Sequence, residues 1–390
     1  MKDYFIKLGK GEEEMNNSSS LVTIIIPIKN SERTLKKHIE SLLNVNYPKD
    51  KIEVIYADGG SKDKTLEILN EFKNSNSLKV EIIQLQNCKS PGEARNKALE
   101  IAKGDFVLFT DADCVLKEDW IEKIIEPFYK DEKIGCVGGE ILTLTTDNGN
   151  DVERYLEFIK FLSVAGRCGI YDEGYFPPIK NFYPHEVNGN IHSSFFATAN
   201  LAVKREVLNK IGNKFWDEIT GEDVDFCIRI HKAGYKLYYK PSAIVYHIHR
   251  ATLQQFRKQV YGYGYGHPLL IKKHAKNVME IAIRLFGKSV YIPIPFFIKG
   301  NIHFGNFHFM HISFILTIIG LISKNKILAI VSSILTLIFM WNYFGHLLKL
   351  KPLSKFLKWC KIKYLSNLSF IIGGIKGSFV FGAIDIEDSF

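Results

Sequence analysis

Two acidic clusters carry the strongest chemical signal in this chain. Asp111-Ala112-Asp113 closes the apolar run Phe106–Thr110, and Gly221-Glu222-Asp223-Val224-Asp225 follows roughly a hundred residues later. A carboxylate pair at a strand end can hold one hard divalent cation, Mg²⁺ or Mn²⁺, whose remaining positions accept diphosphate oxygens. A further carboxylate at a helix start can take a proton from an attacking hydroxyl. Together the clusters suit group transfer from a nucleotide-type donor. Each also has a plainer reading. Asp is common in turns, and acidic residues favour the first turn of any helix.

Other residues could complete such a site. Asp58-Gly59-Gly60-Ser61 follows the apolar run Ile52–Ala57. Asp58 could accept from a base or ribose, the glycines permit close backbone approach, and Ser61 would cap the next helix. An ordinary Gly-rich turn has the same composition. No GK[ST] follows it, and no GxGxxG follows the first strand, so neither a P-loop nor a dinucleotide fingerprint is present. His247 and His249 end an apolar run with Arg250 beside them. A His could complete a metal shell there, and Arg250 could hold phosphate oxygens. Tyr261–Gly266 alternates tyrosine and glycine, which fits a flexible ring-lined path or a packed turn equally.

The elements that must position these residues are legible from periodicity. Val22–Ile26, Ile52–Ala57, Val80–Leu85 and Phe106–Thr110 read as strands, separated by amphipathic stretches such as 31–43 with Leu35, Ile39, Leu42 and Leu43 on one face. Ser90-Pro91-Gly92-Glu93 opens a helix with a capping box and Pro at the first helical position. Four alternations with short connections predict right-handed βαβ crossovers, hence an α/β fold with a mainly parallel sheet. Ligands of such sheets sit at the carboxyl ends of the strands, where Asp58, Asp111 and Asp113 lie. Tyr171–Asn190 reads as a long loop of the kind used as a lid or binding surface. A helix over about 223–233, closed by Gly234, precedes two short strands, Lys236–Tyr239 and Ala243–Tyr246.

Composition bounds the function. The chain has 390 residues, 46% of them apolar, and a net charge of +9. That excess suits anionic lipid or phosphorylated substrates. No dense basic stripe with interleaved aromatics appears, which argues against nucleic acid as a partner. The six cysteines are scattered with no zinc spacing, so free thiols in a reducing compartment are expected. Residues 1–20 are a polar lead-in without the apolar core of a signal peptide. After residue 267 the character changes. Residues 289–298 could lie at a membrane interface, 302–322 and 327–348 have spanning length, and 365–384 is a weaker third candidate interrupted by Gly373, Gly374 and Lys376. A buried helical pair is the alternative. Lysines 272, 273, 276 and 288 precede these segments, and 349, 351, 355, 358, 361 and 363 follow the second. The positive-inside tendency then predicts a multi-pass cell-membrane protein with its catalytic part on the cytoplasmic side.

In this order and context, residues 21–250 resemble the family 2 glycosyltransferases of GT-A fold. The motifs that carry the likeness are Val22–Asn30, Ala57–Thr65, Gly92–Asn96, Phe109–Asp113, Ala199–Arg205 and Gly221–Asp225. Tyr246–Arg250 and the Tyr/Gly run are similar to the membrane-attached branch. The resemblance implies an inverting, metal-dependent transferase using a nucleotide-diphosphate sugar and a lipid-linked or surface-glycan acceptor. It implies that Pro27 and Asn30 line the nucleotide pocket and that Asp58 contacts the base. Arg95 would place the nucleotide or Asp111, Asp111 would face the sugar or ribose, and Asp113 would bind Mg²⁺ or Mn²⁺. Asp223 would be the base with Glu222 as its neighbour, and His247 would be a likelier ligand than His249. Residues 21–267 would form the transferase domain and 268–390 a helical membrane-associated region. Ala57 stands where many relatives have a further Asp, and the QxxRW motif of processive synthases is absent, which argues against processive polymerisation. A nucleotidyltransferase of similar sheet, or a non-catalytic membrane scaffold, are the alternatives. Pro27-Ile-Lys-Asn30 lacks the glycines of the first, and the retained Asp111, Asp113, Asp223 and His247 argue against the second.

Overall fold

The computed structural model describes residues 20–75, 78–145, 149–176, 195–218, 220–275, 277–286, 288–295 and 299–387. The expected lead-in up to residue 19 and the expected loop from residue 177 onward lie outside the described residues.

The first half alternates as the sequence pattern demands. β1 (Val22–Ile28), α1 (Glu32–Leu43), β2 (Ile52–Asp58), α2 (Thr65–Ser75), β3 (Lys79–Gln84), α3 (Pro91–Leu99) and β4 (Phe106–Thr110) follow in order. β2 is buried at all seven positions, because helices cover both faces of a parallel sheet and its strands read as continuous apolar runs. Side chains still divide by the two-residue period. Ile24, Ile26, Val54, Tyr56 and Leu108 join one core with Trp120, while Ile25, Ile55, Val107 and Phe109 join the other with Phe215 and Phe226.

β5 (Cys114–Leu116), α4 (Trp120–Lys130), β6 (Ile134–Thr143), α5 (Asp151–Phe158), α6 (Val164–Cys168), β7 (Gly174–Phe176), β8 (Asn200–Lys204), α7 (Arg205–Lys210), α8 (Glu222–Lys232) and β9 (Lys236–His247) continue the chain. Among the described residues the sheet runs β3-β2-β1-β4-β8-β6-β9-β5, with β7 also on β9. The β1–β2, β2–β3 and β1–β4 pairs are parallel, whereas β8 is antiparallel to both β4 and β6. The two short strands expected over 236–246 are one strand. A register shift opposite Gly139 and Glu140 absorbs the irregular stretch around Pro241, as a bulge does.

The C-terminal part departs further from expectation. The Tyr/Gly run is neither a loop nor a turn. It lies inside α9 (Leu253–His274), whose start is fixed by a capping box between Thr252 and Gln255. β10 (Val278–Leu285), β11 (Lys288–Pro295), β12 (Gly300–Phe304) and β13 (Ile384–Ile386) form a second sheet in the order β11-β10-β12-β13. The region is therefore not purely helical. β11 pairs with β10 along its whole length, yet it keeps Val290, Tyr291, Ile292 and Ile294 exposed at the sheet edge. The first expected span begins late, because residues 302–304 belong to β12. Its helix, α10 (Asn306–Ile322), has 17 residues. α11 (Lys326–Phe344) continues through a 3₁₀ turn to Lys349, and this is the one helix among the described residues long and apolar enough to cross a membrane. The third candidate is the C-terminal part of α12 (Leu353–Phe381), a 29-residue helix that buries Gly373 and Gly377 against α9 and Gly374 against Asp385 of β13.

α10 and α11 form a hairpin with an unusual division of surfaces. Its seam is small and hydroxylic. Gly320 packs on Ala329, Thr317 donates to Ser332 Oγ at 3.0 Å, and Thr336 donates to Ser313 Oγ at 3.1 Å. Its outer face is apolar and exposed, with Ile322, Ile327, Leu337 and Trp341 among the outward side chains. A water-soluble pair buries the apolar face and exposes the polar one. Small and hydroxylic seams are how helices pack in lipid.

Candidate active site

The carboxyl ends of β1, β2 and β4 lie side by side and carry three loops. Ile28 is in register with Asp58, and Ile25 with Phe109. Asp58 is buried, and its carboxylate accepts from Gly60 N (3.1 Å), from Ser61 N (3.1 Å) and from the Ser61 hydroxyl. Ser61 is thus spent within the loop and does not cap α2, which starts at Thr65. The same hydroxyl accepts from Asn30 N at 2.8 Å, and Asn30 Oδ1 accepts from Lys62 N at 2.8 Å. Asn30 adopts φ 52° to make both contacts, a conformation Asn tolerates better than most residues. Pro27, on β1, pairs in register with Ala57. Pro27, Asn30 and Asp58 therefore belong to one rim built by two neighbouring loops.

Arg95 joins the two acidic clusters. It sits on α3, whose start is held by Ser90 Oγ accepting from Glu93 N at 3.1 Å. Glu93 reaches Lys89 N, so the box closes one residue early. The Arg95 guanidinium donates from Nη2 to Asp111 Oδ1 at 3.0 Å and from Nη1 to Glu222 Oε1 at 2.9 Å, with its side chain only 3% exposed. It also lies over the Phe215 ring at 5.7 Å. A guanidinium presents several donors in one plane; the two carboxylates engage its two Nη groups from different elements and fix its orientation. α3 approaches closely enough that a Cβ on Gly92 would lie 2.3 Å from Trp216 O.

The helix that carries Asp223 starts at a left-handed residue. Gly221 has φ 81° at the N-cap of α8, a conformation that favours glycine. Asp223 Oδ1 accepts from Val224 N at 2.8 Å. Burial, and after it the neighbouring Glu222, raise the Asp223 carboxyl to about 7, outweighing Val224 N–H and Arg95. Desolvation and a like charge both disfavour ionisation, and a carboxylate poised near neutrality suits a general base. Burial also raises Asp111, against the pull of Arg95.

Asp113 meets the histidine strand through sheet register. β5 pairs antiparallel with β9, Cys114 opposite His247, and Ile248 N donates to Asp113 O at 2.8 Å. Asp113 Oδ1 then lies 3.3 Å from His247 Nε2, and Asp113 Oδ2 lies 3.6 Å from Arg250 Nη1. Asp113 Oδ1 is buried without a hydrogen-bond partner and faces His247 Nε2, which leaves ligand capacity for a divalent ion. A carboxylate and an imidazole are a donor set such ions accept. Cys114 shares the cluster, but burial and the two aspartates hold its thiol protonated. His249 is engaged elsewhere, with Nε2 2.9 Å from Thr143 Oγ1.

The structure brings Arg95 together with Asp111 and Glu222 and Asp113 together with His247 and Arg250, while Pro27, Asn30 and Asp58 lie at the adjoining ends of β1 and β2. One neighbour of the site was missed. Tyr263, on α9, is near enough to Asp223, Arg250 and Glu222 for their charges to act on its hydroxyl, which accepts from Gln259 Nε2 at 2.9 Å. The Thr252–Gln255 capping box was the available signal that this stretch is helical, and hence that every third or fourth ring shares a face.

A curled, mostly parallel sheet with acidic loops at its carboxyl ends, and an acidic helix start facing them, is the arrangement of a GT-A-type nucleotide-sugar transferase. Residues 23–212 match the family model described as glycosyl transferase family 2, and the chain is a glycosyltransferase carrying that domain. It is similar to the dolichyl N-acetyl-α-D-glucosaminyl phosphate 3-β-D-2,3-diacetamido-2,3-dideoxy-β-D-glucuronosyltransferase of Methanococcus voltae, with 26% identity over 93% of this chain and 99% of that protein. It is also similar to the pre-mycofactocin glycosyltransferase of Mycobacterium tuberculosis, 29% identical over 66% of this chain but only 49% of the relative. The solved mannosyltransferase PcManGT of Pyrobaculum calidifontis overlays with a TM-score of 0.48 and 18% identity, over 67% of this chain and 66% of its own.

Proposed function

We propose that this chain transfers a sugar, with inversion, from a nucleoside-diphosphate sugar to a polyprenyl-phosphate-linked sugar at a membrane. The observation that carries the reading is the Arg95 bridge. One buried guanidinium ties Asp111, on the donor side, to Glu222, the immediate neighbour of Asp223. Donor and base are thereby held in one site. Asp223 takes the proton of the acceptor hydroxyl as its oxygen bonds to the anomeric carbon; the bond from that carbon to the diphosphate oxygen breaks, and the nucleoside diphosphate leaves with the electron pair. Pro27, Asn30 and Asp58 form the nucleotide rim, Asp111 faces the donor, and Arg250 offers a cation to its phosphates. Asp113 and His247 would hold Mg²⁺ or Mn²⁺, which when bound neutralises charge on the departing diphosphate.

The acceptor class is supported by the Methanococcus voltae relative, whose name makes it a transferase onto a dolichyl-linked sugar phosphate and whose likeness extends over 93% of this chain. The membrane is supported by the outward apolar face of the α10–α11 hairpin. In this reading residues 21–267 form the transfer domain, 268–390 attach it, and the hairpin enters the bilayer from the side of the transfer site.

General-base assistance contributes roughly 10²–10⁴-fold, so Asp223→Asn should lower turnover by about that order and leave donor affinity intact. Nucleoside diphosphate release, followed with a panel of nucleotide sugars and Mn²⁺, measures the first; donor-induced thermal shift measures the second. Near-wild-type turnover in Asp223→Asn would remove the base from Asp223.

A further inference from the structure

We propose that His267, Asp385 and Glu387 form a second divalent-metal site, one suited to Zn²⁺, that fastens the C-terminal strand β13 to α9. These residues lie apart from Asp113 and His247, on different elements, and the transfer chemistry uses none of them. His267 Nδ1 lies 3.1 Å from Glu387 Oε1 and 3.6 Å from Asp385 Oδ2. The three ligand atoms all fall within 4.8 Å of one another. Zinc bonds of about 2.0–2.2 Å place tetrahedral ligands roughly 3.3–3.5 Å apart, and the observed 3.1 and 3.6 Å lie just to either side of that range. A cation among the three atoms can meet all of them at once.

The second shell supplies an independent argument. Both carboxylates turn their other oxygen toward fixed polar groups of β12. Asn301 Nδ2 donates to Glu387 Oε2 at 3.1 Å and reaches Asp385 Oδ1 at 3.4 Å. His303 stands between Glu280 Oε1 at 3.0 Å and Glu387 Oε2 at 3.2 Å. Outer contacts of this kind orient ligating carboxylates and are a usual part of metal sites. Asp385 and Glu387 are themselves buried. The His267 side chain is 29% exposed, which leaves an approach for the ion and room for water as a fourth ligand.

The consequence reaches the transfer site. α9 also carries Lys273 and His274, which hold the buried Asp225 of α8 at 2.9 Å each. A metal at His267 would brace the helix that positions the one bearing Asp223. The rival occupant is a proton, giving an imidazolium paired with two carboxylates.

Titration of chelator-stripped, full-length protein with Co²⁺ separates the two. One tight equivalent with the intense visible bands of four-coordinate cobalt is expected. It should persist in Asp113→Ala and vanish in His267→Gln and Glu387→Gln. Zinc content after gel filtration should follow the same pattern. Absence of a tight equivalent in the wild type overturns the proposal whatever the variants do, and so does its retention in His267→Gln.

Discussion

At the residue scale the group to test is Asp223, the proposed base, and its environment makes a prediction about pH. Burial and Glu222 raise its carboxyl to about 7, and a general base works only when ionised. Activity is therefore present above that value and lost as pH falls through it. Glu222→Gln removes the neighbouring negative charge and frees Arg95 from one of its two partners. Both changes favour the ionised form of Asp223, so the acidic limb should move to lower pH even though the maximum rate falls with the loosened Arg95. The measurement is kcat/KM against pH for wild type and variant. A limb that stays in place, or rises, would mean that another group controls it. Where the candidate residues fall on their elements was legible beforehand, because strand-end aspartates and a glycine-led acidic helix start are local patterns. The Arg95–Glu222 contact was not. It joins residues 127 positions apart, and no period or spacing encodes which side of a guanidinium faces which carboxylate.

At the element scale, the register of β5 on β9 selects His247, and α9 shows how far a local reading can miss. A glycine every second residue looks like a loop by propensity, yet the run 261–266 is helical, and two of its three glycines, Gly264 and Gly266, are contact points. A Cβ on Gly264 would lie 2.1 Å from Phe370 O, and one on Gly373 would lie 2.2 Å from Tyr261 O. Tertiary packing of α9 on α12 overrides the intrinsic cost of glycine in a helix, about 1 kcal/mol each. The second sheet was illegible for a related reason: β12 and β13 are brought together by chain segments some eighty residues apart. The crossing is testable with an internal control. Gly264→Ala should destabilise by about 1–3 kcal/mol through overpacking. Gly262→Ala, which meets nothing within 4 Å, should be neutral or stabilising by up to about 1 kcal/mol. Thermal unfolding of the detergent-solubilised protein measures both, and equal effects would show that the two helices do not cross through Gly264.

At the scale of the whole molecule, the chemistry and the apolar surface belong to one connected body. Asp225 of α8 is held by Lys273 and His274 of α9, α9 packs on α12 through interleaved glycines, and Phe307 of α10 and Tyr343 of α11 join Ile371 of α12 in one cluster. The transfer site is thereby tied to the hairpin whose apolar face points outward. α11 with its 3₁₀ turn has 24 residues, 18 of them in a stretch with a mean hydropathy of 1.9, and α10 carries no Asp, Glu, Lys or Arg between Asn306 and Ile322. If that face meets lipid, placing charge on it should act on membrane attachment and on long-chain acceptors together. Leu337 and Trp341 are exposed and make no seam contact with α10 through the Ser313, Thr317, Ser332 and Thr336 hydroxyls. Each Lys placed near the bilayer centre costs roughly 2.5–3.5 kcal/mol. The double variant Leu337→Lys/Trp341→Lys should leave the membrane fraction on alkaline carbonate wash, should lose activity on a long-chain polyprenyl-phosphate-linked acceptor, and should keep its rate on a short-chain, water-soluble analogue. Variant protein that stays in the membrane pellet, or that acts on both acceptors as the wild type does, would show that the hairpin face is not what meets the lipid.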